Sequence, residues 1–178
     1  MTWSRQQSPR LDEILSRSDS AHAIAGHSLA VTDNNIGERL TPVLAQSALE
    51  ESALYVHVPF CPSRCLSCDH LTIIEHDRKE INHYLEVLAR ELSTLATNTP
   101  KGRLRKLFIG GGSPNYLADD QLAQLMTSIN DSFTLHNDAD VVMEINPRRT
   151  SRSQLDLLKG LGINHLNLEV RDVDTRVQ

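Results

Sequence analysis

No stretch of the sequence approaches the roughly 20 consecutive apolar residues of a membrane span, and no basic segment followed by an apolar one stands at its start. A secretory leader and a membrane anchor are therefore not expected. Excess positive charge is missing as well: the formal net charge of −5 argues against a nucleic-acid or membrane-surface role that rests on bulk charge. Cysteine is scarce and odd in number, three in 178 residues, which argues against a disulfide framework and predicts a reducing, cytoplasmic setting. What is present suits a soluble globular chain, because 178 residues at 39% hydrophobic content can bury one sizeable core.

Hydrophobic periodicity is weak across the first 53 residues. Ser, His, Asp and Asn are frequent there; Leu11, Ile14 and Leu15 could make one helical turn and 42–51 another, and 1–53 reads as an N-terminal arm. His22 and His27 have no partner at metal-site spacing and read as solvated.

From residue 54 the pattern turns regular. Segment 54–58 is a short apolar strand terminated by Pro59. Asp77 and Glu80 have the spacing of a capping box, and Ile81, Tyr84, Leu85, Leu88, Leu92 and Leu95 then recur at helical spacing until Pro100 and Gly102 break it. A strand over 104–109 runs into Gly110, Gly111 and Gly112, and a second helix carries Leu122, Leu125, Met126, Ile129 and Phe133 on one stripe. A third strand over 141–145 is closed by Asn146 and Pro147. A third helix opens on Ser151 and Gln154 and ends at Gly160 and Gly162, and a fourth strand covers 163–170. Strands alternating with helices of this length imply parallel βαβ units, an α/β fold with its functional residues at the carboxyl ends of the strands. Four strands do not close a barrel, so 54–178 is expected to form the first part of a parallel (β/α) barrel, incomplete in this chain.

All three cysteines stand in one run, Cys61, Cys65 and Cys68, spaced C-x3-C-x2-C directly after the first strand. Thiolates on a strand-end loop can converge on an iron–sulfur cubane, and three sulfurs for four irons leave one iron open to chelate an amine and a carboxylate. S-adenosylmethionine offers that pair, and radical chemistry is among the reactions it carries. A Cys3His zinc site completed by His57 or His70 is the competing reading, and idle buried thiols are a third. One βα unit later, the three glycines let backbone N–H groups approach a ligand closely, Ser113 adds a hydroxyl and Pro114 fixes the exit of the loop. Glu144 lies near the end of the third strand, where a carboxylate can accept hydrogen bonds from ribose hydroxyls or an ammonium group, or stand as a partly exposed strand-end charge. Arg148 and Arg149 follow, either as cations for a substrate bearing several carboxylates or as a solvated loop.

Leu54-Tyr55-Val56-His57-Val58-Pro59-Phe60-Cys61, the cysteine spacing, Gly110-Gly111-Gly112-Ser113-Pro114-Asn115-Tyr116-Leu117 and Glu144-Ile145-Asn146-Pro147-Arg148 together resemble the oxygen-independent coproporphyrinogen III oxidase family of the radical SAM superfamily. The similarity runs from about residue 54 to the end. The resemblance implies a 4Fe–4S cluster on Cys61, Cys65 and Cys68, and S-adenosyl-L-methionine contacted by Gly111, Gly112, Ser113 and Glu144 with Tyr55 close by. It further implies coproporphyrinogen III as the tetrapyrrole substrate, a flavodoxin- or ferredoxin-type electron donor, and oxidative decarboxylation of two propionate side chains to give protoporphyrinogen IX.

The chain departs from that family at Ser67, where an aromatic residue is usual, and at Glu169 and Arg171, where the family has Gly and a cofactor-contacting Gln. Asp69 after Cys68 is more like the related haem chaperones, and His70 also departs from the oxidases. Two functions are thus implied. The long arm and Asn146-Pro147-Arg148 favour the oxidase; Ser67, Asp69, Glu169 and Arg171 favour a haem chaperone-like or degenerate, catalytically inactive relative that keeps the iron–sulfur site. Strand alternation puts Glu169 and Arg171 on one face, where they can pair and offset a cation beside the sulfonium; Asp172 is a further neutralising neighbour. Because a radical reaction requires an enclosed and oriented substrate, the 178 residues alone are expected to be inactive as an oxidase.

Overall fold

The computed structural model describes residues 53–65, 68, 71–98, 103–168, 174 and 176. Their elements are β1 (Ala53–Val58), β2 (Phe60–Cys61), β3 (Ile73–Ile74), α1 (Arg78–Asn98), β4 (Arg103–Gly111), α2 (Asp119–Ser132), β5 (Thr134–Glu144), α3 (Arg152–Gly160) and β6 (His165–Asn167). Single 3-10 turns at Pro114–Tyr116 and Pro147–Arg149 follow β4 and β5.

Four strands form one parallel sheet in the order β1-β4-β5-β6, so each strand pairs with the next across an intervening helix. This is the expected α/β arrangement of a partial parallel barrel. Period-2 alternation explains its two faces. Val56 and Val58 of β1, Leu107 and Ile109 of β4, and Val141 and Met143 of β5 are buried against Ile81, Leu85, Leu88 and Leu92 of α1, Leu122, Leu125 and Ile129 of α2, and Leu158 of α3. Each such side chain contributes about 1.5–3 kcal/mol when fully buried. The intervening residues, Tyr55, His57, Phe108, Val142 and Glu144, belong to the other face and are half-buried or exposed.

Each capping box expected from the sequence is half formed: the Asp77 N–H is taken by Glu75 Oε1 rather than Glu80, and the Gln154 side chain turns to Asn115 rather than to the Ser151 N–H. Asp77 Oδ1 accepts the Lys79 backbone N–H at 2.8 Å at the start of α1, and Ser151 Oγ accepts the Gln154 N–H at 3.1 Å at the start of α3. Gly162, with φ +91°, lets α3 end by bonding its N–H to the Lys159 carbonyl at 3.1 Å.

Four boundaries differ from the sequence pattern. The chain pairs again directly after Pro59: β2 lies parallel to β3, with Cys61 opposite Ile74, so Cys61 is a strand residue rather than a loop residue. Strand β4 continues through Gly110 and Gly111 because Val58 and His57 of β1 pair with them. Strand β5 begins at Thr134 rather than near Val141, since Arg103 and Leu104 pair with Thr134 and Leu135 despite the polar sequence there. Strand β6 is shorter than 163–170; Ile163 is buried just ahead of it, and 169–170 lie outside the described residues. Also outside them are the arm 1–52 and Pro100 and Gly102. No helix among the described residues is long and apolar enough to cross a membrane.

Candidate functional site

The carboxyl ends of β1, β4 and β5 meet at one corner, built around the glycines. Gly111 has φ +116°, a conformation that disfavours any side chain, and a Cβ there would lie 2.7 Å from the His57 ring. A Cβ on Gly110 would meet Glu144 Oε2 at 2.7 Å, and one on Gly112 would meet the Pro59 and Phe60 carbonyl oxygens at 2.7 Å. The glycines are thus required by close backbone and side-chain approach on three sides. Gly111 N–H donates to Glu144 Oε2 at 2.9 Å, and Asn167 Nδ2 reaches Glu144 Oε1 at 3.4 Å. Donors from the two neighbouring strands therefore hold the carboxylate across Gly110.

The same loop is tied to the cysteine segment. Gly112 N–H donates to the Val58 carbonyl at 2.8 Å and Ser113 N–H to the Phe60 carbonyl at 2.9 Å. The Cys61 thiol lies 3.7 Å from Ser113 Oγ and donates to it. Burial pushes the Cys61 thiol above its ordinary value of 9.0; the Ser113 hydroxyl, able to donate to the thiolate, works against this, and charge on Cys65 and Cys68 adds to the rise. Cys68 Sγ lies 3.6 Å from Thr72 Oγ1, its N–H meets the Cys65 carbonyl at 3.4 Å, and the Cys65 side chain is exposed.

The three cysteines share one short segment, Cys61 at the end of β2 and Cys65 and Cys68 beyond it, but among the described residues no three His, Cys, Asp or Glu side chains stand close enough to hold a metal ion. Free thiols gain nothing by converging, and a metal site rarely exists before its metal arrives. The donor set itself suits an iron–sulfur cluster, three cysteines from a single segment beside the Ser113 hydroxyl, whereas the Gly111, Gly112 and Ser113 N–H groups expected to face a ligand are taken by Glu144 and by the Val58 and Phe60 carbonyls. His57 is not free to complete a zinc site. Its Nε2 donates to the Leu71 carbonyl at 3.0 Å, which leaves Nδ1 to accept the Tyr55 hydroxyl at 3.1 Å. His70 lies outside the described residues, as do Ser67, Asp69, Glu169, Arg171 and Asp172.

Tyr55 stands on the open face of β1. Its ring stacks on Phe108 with centroids 5.8 Å apart, and burial, followed by the nearby Glu144 charge, raises its hydroxyl above the ordinary value of 10.0. Arg149 sits apart from this group, with its guanidinium 5.1 Å from the centre of the Tyr116 ring. Tyr116 in turn donates to the Glu75 carbonyl at 3.0 Å. Arg148 is exposed, and its backbone N–H is capped by Asn146 Oδ1 at 3.1 Å.

The structure thus brings Tyr55, Cys61, Gly111, Gly112, Ser113 and Glu144 into one chain of contacts. Sequence reasoning missed the roles of His57 as a brace, Phe108 as a platform, Asn167 beside Glu144, and Asn115 behind the glycine loop. Period-2 alternation offered a signal for Phe108, which pairs in register with Tyr55. Asn115 stands within the 110–117 motif but carried no sign of its burial, because a buried amide in a 3-10 turn looks like any turn residue.

Residues 55–178 match the family described as the Radical SAM superfamily. Over 129 residues the chain is 36% identical to the oxygen-independent coproporphyrinogen III oxidase of Pseudomonas aeruginosa, covering 71% of this chain and 28% of that protein. It is 33% identical over 118 residues to the heme chaperone HemW of Bacillus subtilis, covering 66% of this chain and 31% of the relative. A solved structure, coproporphyrinogen III oxidase (HemN) from Escherichia coli, described as a radical SAM enzyme, superposes with a TM-score of 0.73 at 30% identity, covering 79% of this chain and 32% of that one. The chain spans less than a third of the length of each of these three proteins.

Proposed function

Because the chain belongs to the radical SAM superfamily, in the family of the oxygen-independent coproporphyrinogen III oxidases, we propose that its rim site serves the oxidative decarboxylation of coproporphyrinogen III. The cofactors of that superfamily are a 4Fe–4S cluster and S-adenosyl-L-methionine. In this reading Cys61, Cys65 and Cys68 hold the cluster as thiolates, and Tyr55, Gly111, Gly112, Ser113 and Glu144 receive S-adenosylmethionine. When bound, the two cofactors supply the one-electron chemistry that removes hydrogen from propionate side chains.

The observation that carries the reading is the tie between the two loops, through Gly112 N–H on the Val58 carbonyl and the Cys61 thiol on Ser113 Oγ. It supports a ligand that touches cysteine-bound metal and the glycine backbone at once. The chain's own residues then have distinct tasks. Glu144 offers its remaining lone pairs to ribose hydroxyls or an ammonium group while Gly111 and Asn167 hold its orientation. Ser113 steadies the Cys61 thiolate, and the Tyr55–Phe108 stack covers apolar surface beside Glu144. The electron is taken to come from a flavodoxin- or ferredoxin-type donor.

A haem chaperone is the second reading, favoured by the similarity to HemW and by Asp69 after Cys68. Formation of 5′-deoxyadenosine by anaerobically reconstituted protein, with and without coproporphyrinogen III, separates the two. Stimulation by the porphyrinogen supports the oxidase and overturns the chaperone; haem binding that coproporphyrinogen III does not displace supports the chaperone and overturns the oxidase. No protoporphyrinogen is expected from the 178 residues alone, because the described sheet leaves the Tyr55 and Glu144 face open and radical chemistry requires an enclosed substrate.

A further inference from the structure

The geometry points to Asn115 as a positioning residue of this corner: it clasps the segment that leaves the glycine loop to the segment that leaves Glu144. The inference rests on reading the corner as the S-adenosylmethionine site. Asn115 is only 3% exposed and one of two buried polar side chains among the described residues. A buried amide persists when its hydrogen bonds are made. Here Oδ1 accepts the Asn146 N–H at 2.9 Å, while Nδ2 donates to the Asn146 carbonyl at 3.2 Å and to Thr150 Oγ1 at 3.0 Å. Gln154 Nε2 donates to the Asn115 carbonyl at 3.1 Å, and its Oε1 lies 3.4 Å from Asn115 Nδ2.

One side chain therefore grips the main chain of Asn146 through both its N–H and its C=O, on the two successive peptides that flank this residue, which fixes orientation as well as distance. Both ends of the clasp lie next to the site. Asn146 follows Glu144 after one residue, Ile145, which is buried and donates its N–H to the Asn167 carbonyl at 3.0 Å. Asn115 follows Ser113 after Pro114, whose ring fixes φ, and Tyr116 N–H closes the turn onto the Ser113 carbonyl at 2.8 Å. A shift at Asn146 is thereby passed to Glu144, whose carboxylate must stay across Gly110 and on the Gly111 N–H. The clasp links β4 and β5 beyond the point where their ladder ends, since the last register pair is Ile109 with Met143.

A purely structural amide and a positioning amide differ in what their loss does. Asn115→Leu, of similar volume, and Thr150→Val, which removes a single hydroxyl, are compared with the natural chain. In cofactor-free protein, the Gly111 amide of folded Asn115→Leu should exchange about tenfold faster while the Val142 amide keeps its rate; after reconstitution, S-adenosylmethionine Kd by calorimetry should rise about tenfold. The affinity losses from Asn115→Leu and Glu144→Gln should also fall short of additive, because one acts through the other. Thr150→Val should shift both readings in the same direction by less. Unchanged Gly111 exchange in folded Asn115→Leu overturns the proposal, as do additive affinity losses. If Asn115→Leu does not fold, Thr150→Val decides by the same Gly111 reading. A natural chain that binds no S-adenosylmethionine defeats the proposed function instead, and Gly111 exchange, read without cofactor, still decides the role of Asn115.

Discussion

At the glycine corner the residues proposed to receive S-adenosylmethionine already have protein partners: Glu144 is held by Gly111 and Asn167, Gly112 and Ser113 by the Val58 and Phe60 carbonyls, and Tyr55 by His57. The cysteine loop beside it is built differently. Cys61 is packed and bonded to Ser113, Cys68 is half-buried near Thr72, and Cys65 is exposed, with no metal-ready grouping among the described residues. One region is organised by folding, so its ordering cost is already met before a ligand arrives. In the proposed reading the other is completed by its metal, so that metal affinity there becomes part of local folding. The difference assigns separate consequences to damage in each region.

Cys65→Ser should have the largest effect. Iron content and charge-transfer absorption after anaerobic reconstitution should fall to background, while the thermal unfolding of metal-free protein stays unchanged because the side chain is exposed. A normal cluster in this variant would break the assignment of the cysteine loop. Gly111→Ala should do the reverse. Forcing an alanine to φ +116° against the His57 ring costs about 1–3 kcal/mol or more, read as a lower urea midpoint in metal-free protein. Unchanged stability would show that the corner is softer than its contacts indicate.

Alkaline titration sharpens the contrast on a smaller scale. The folded chain raises Cys61 above its ordinary 9.0, and Tyr55 and Tyr84 above their ordinary 10.0, in each case chiefly through burial. A raised acid contributes stability that is fully present below its unfolded value and is lost as pH rises through the folded one. Metal-free protein should therefore lose stability above about pH 9, first through the thiol and then through the phenols, and Cys61→Ala should flatten the first part of that fall. A profile unchanged by Cys61→Ala would contradict the packing assigned to this thiol. The smallest effect should come from Arg78→Ala. The Arg78–Asp120 bridge is 2.7 Å long but exposed on both sides, so its removal should leave the urea midpoint nearly unchanged and iron content intact.

Much of this arrangement was legible because local signals agreed with the fold. Alternation in β1, the leucine stripes of α1 and α2, and the caps at Asp77, Ser151 and Gly162 each specify an element without help from distant residues. The cysteine spacing and the glycines were visible as chemistry. The beginning of β5 was not, because Thr134 to Asp140 is polar and becomes a strand only by pairing with β4. The short β2–β3 ladder was hidden for a related reason: a two-residue strand after a proline is stabilised by a partner more than ten residues away rather than by its own pattern. His57 shows the limit most clearly. Its residue type suggested a metal ligand, and only the positions of Leu71 and Tyr55 reveal both ring nitrogens in use.

The central claim is that folding organises the glycine corner and metal organises the cysteine loop. Amide hydrogen exchange of the natural chain before and after anaerobic loading with iron and sulfide tests it most directly. The account predicts that protection at Cys65 and Cys68 rises strongly on loading while protection at Gly111, Gly112 and Ser113 is already high and changes little. Cysteine-loop amides that are equally protected without metal, or a glycine corner that becomes protected only with it, would contradict the account.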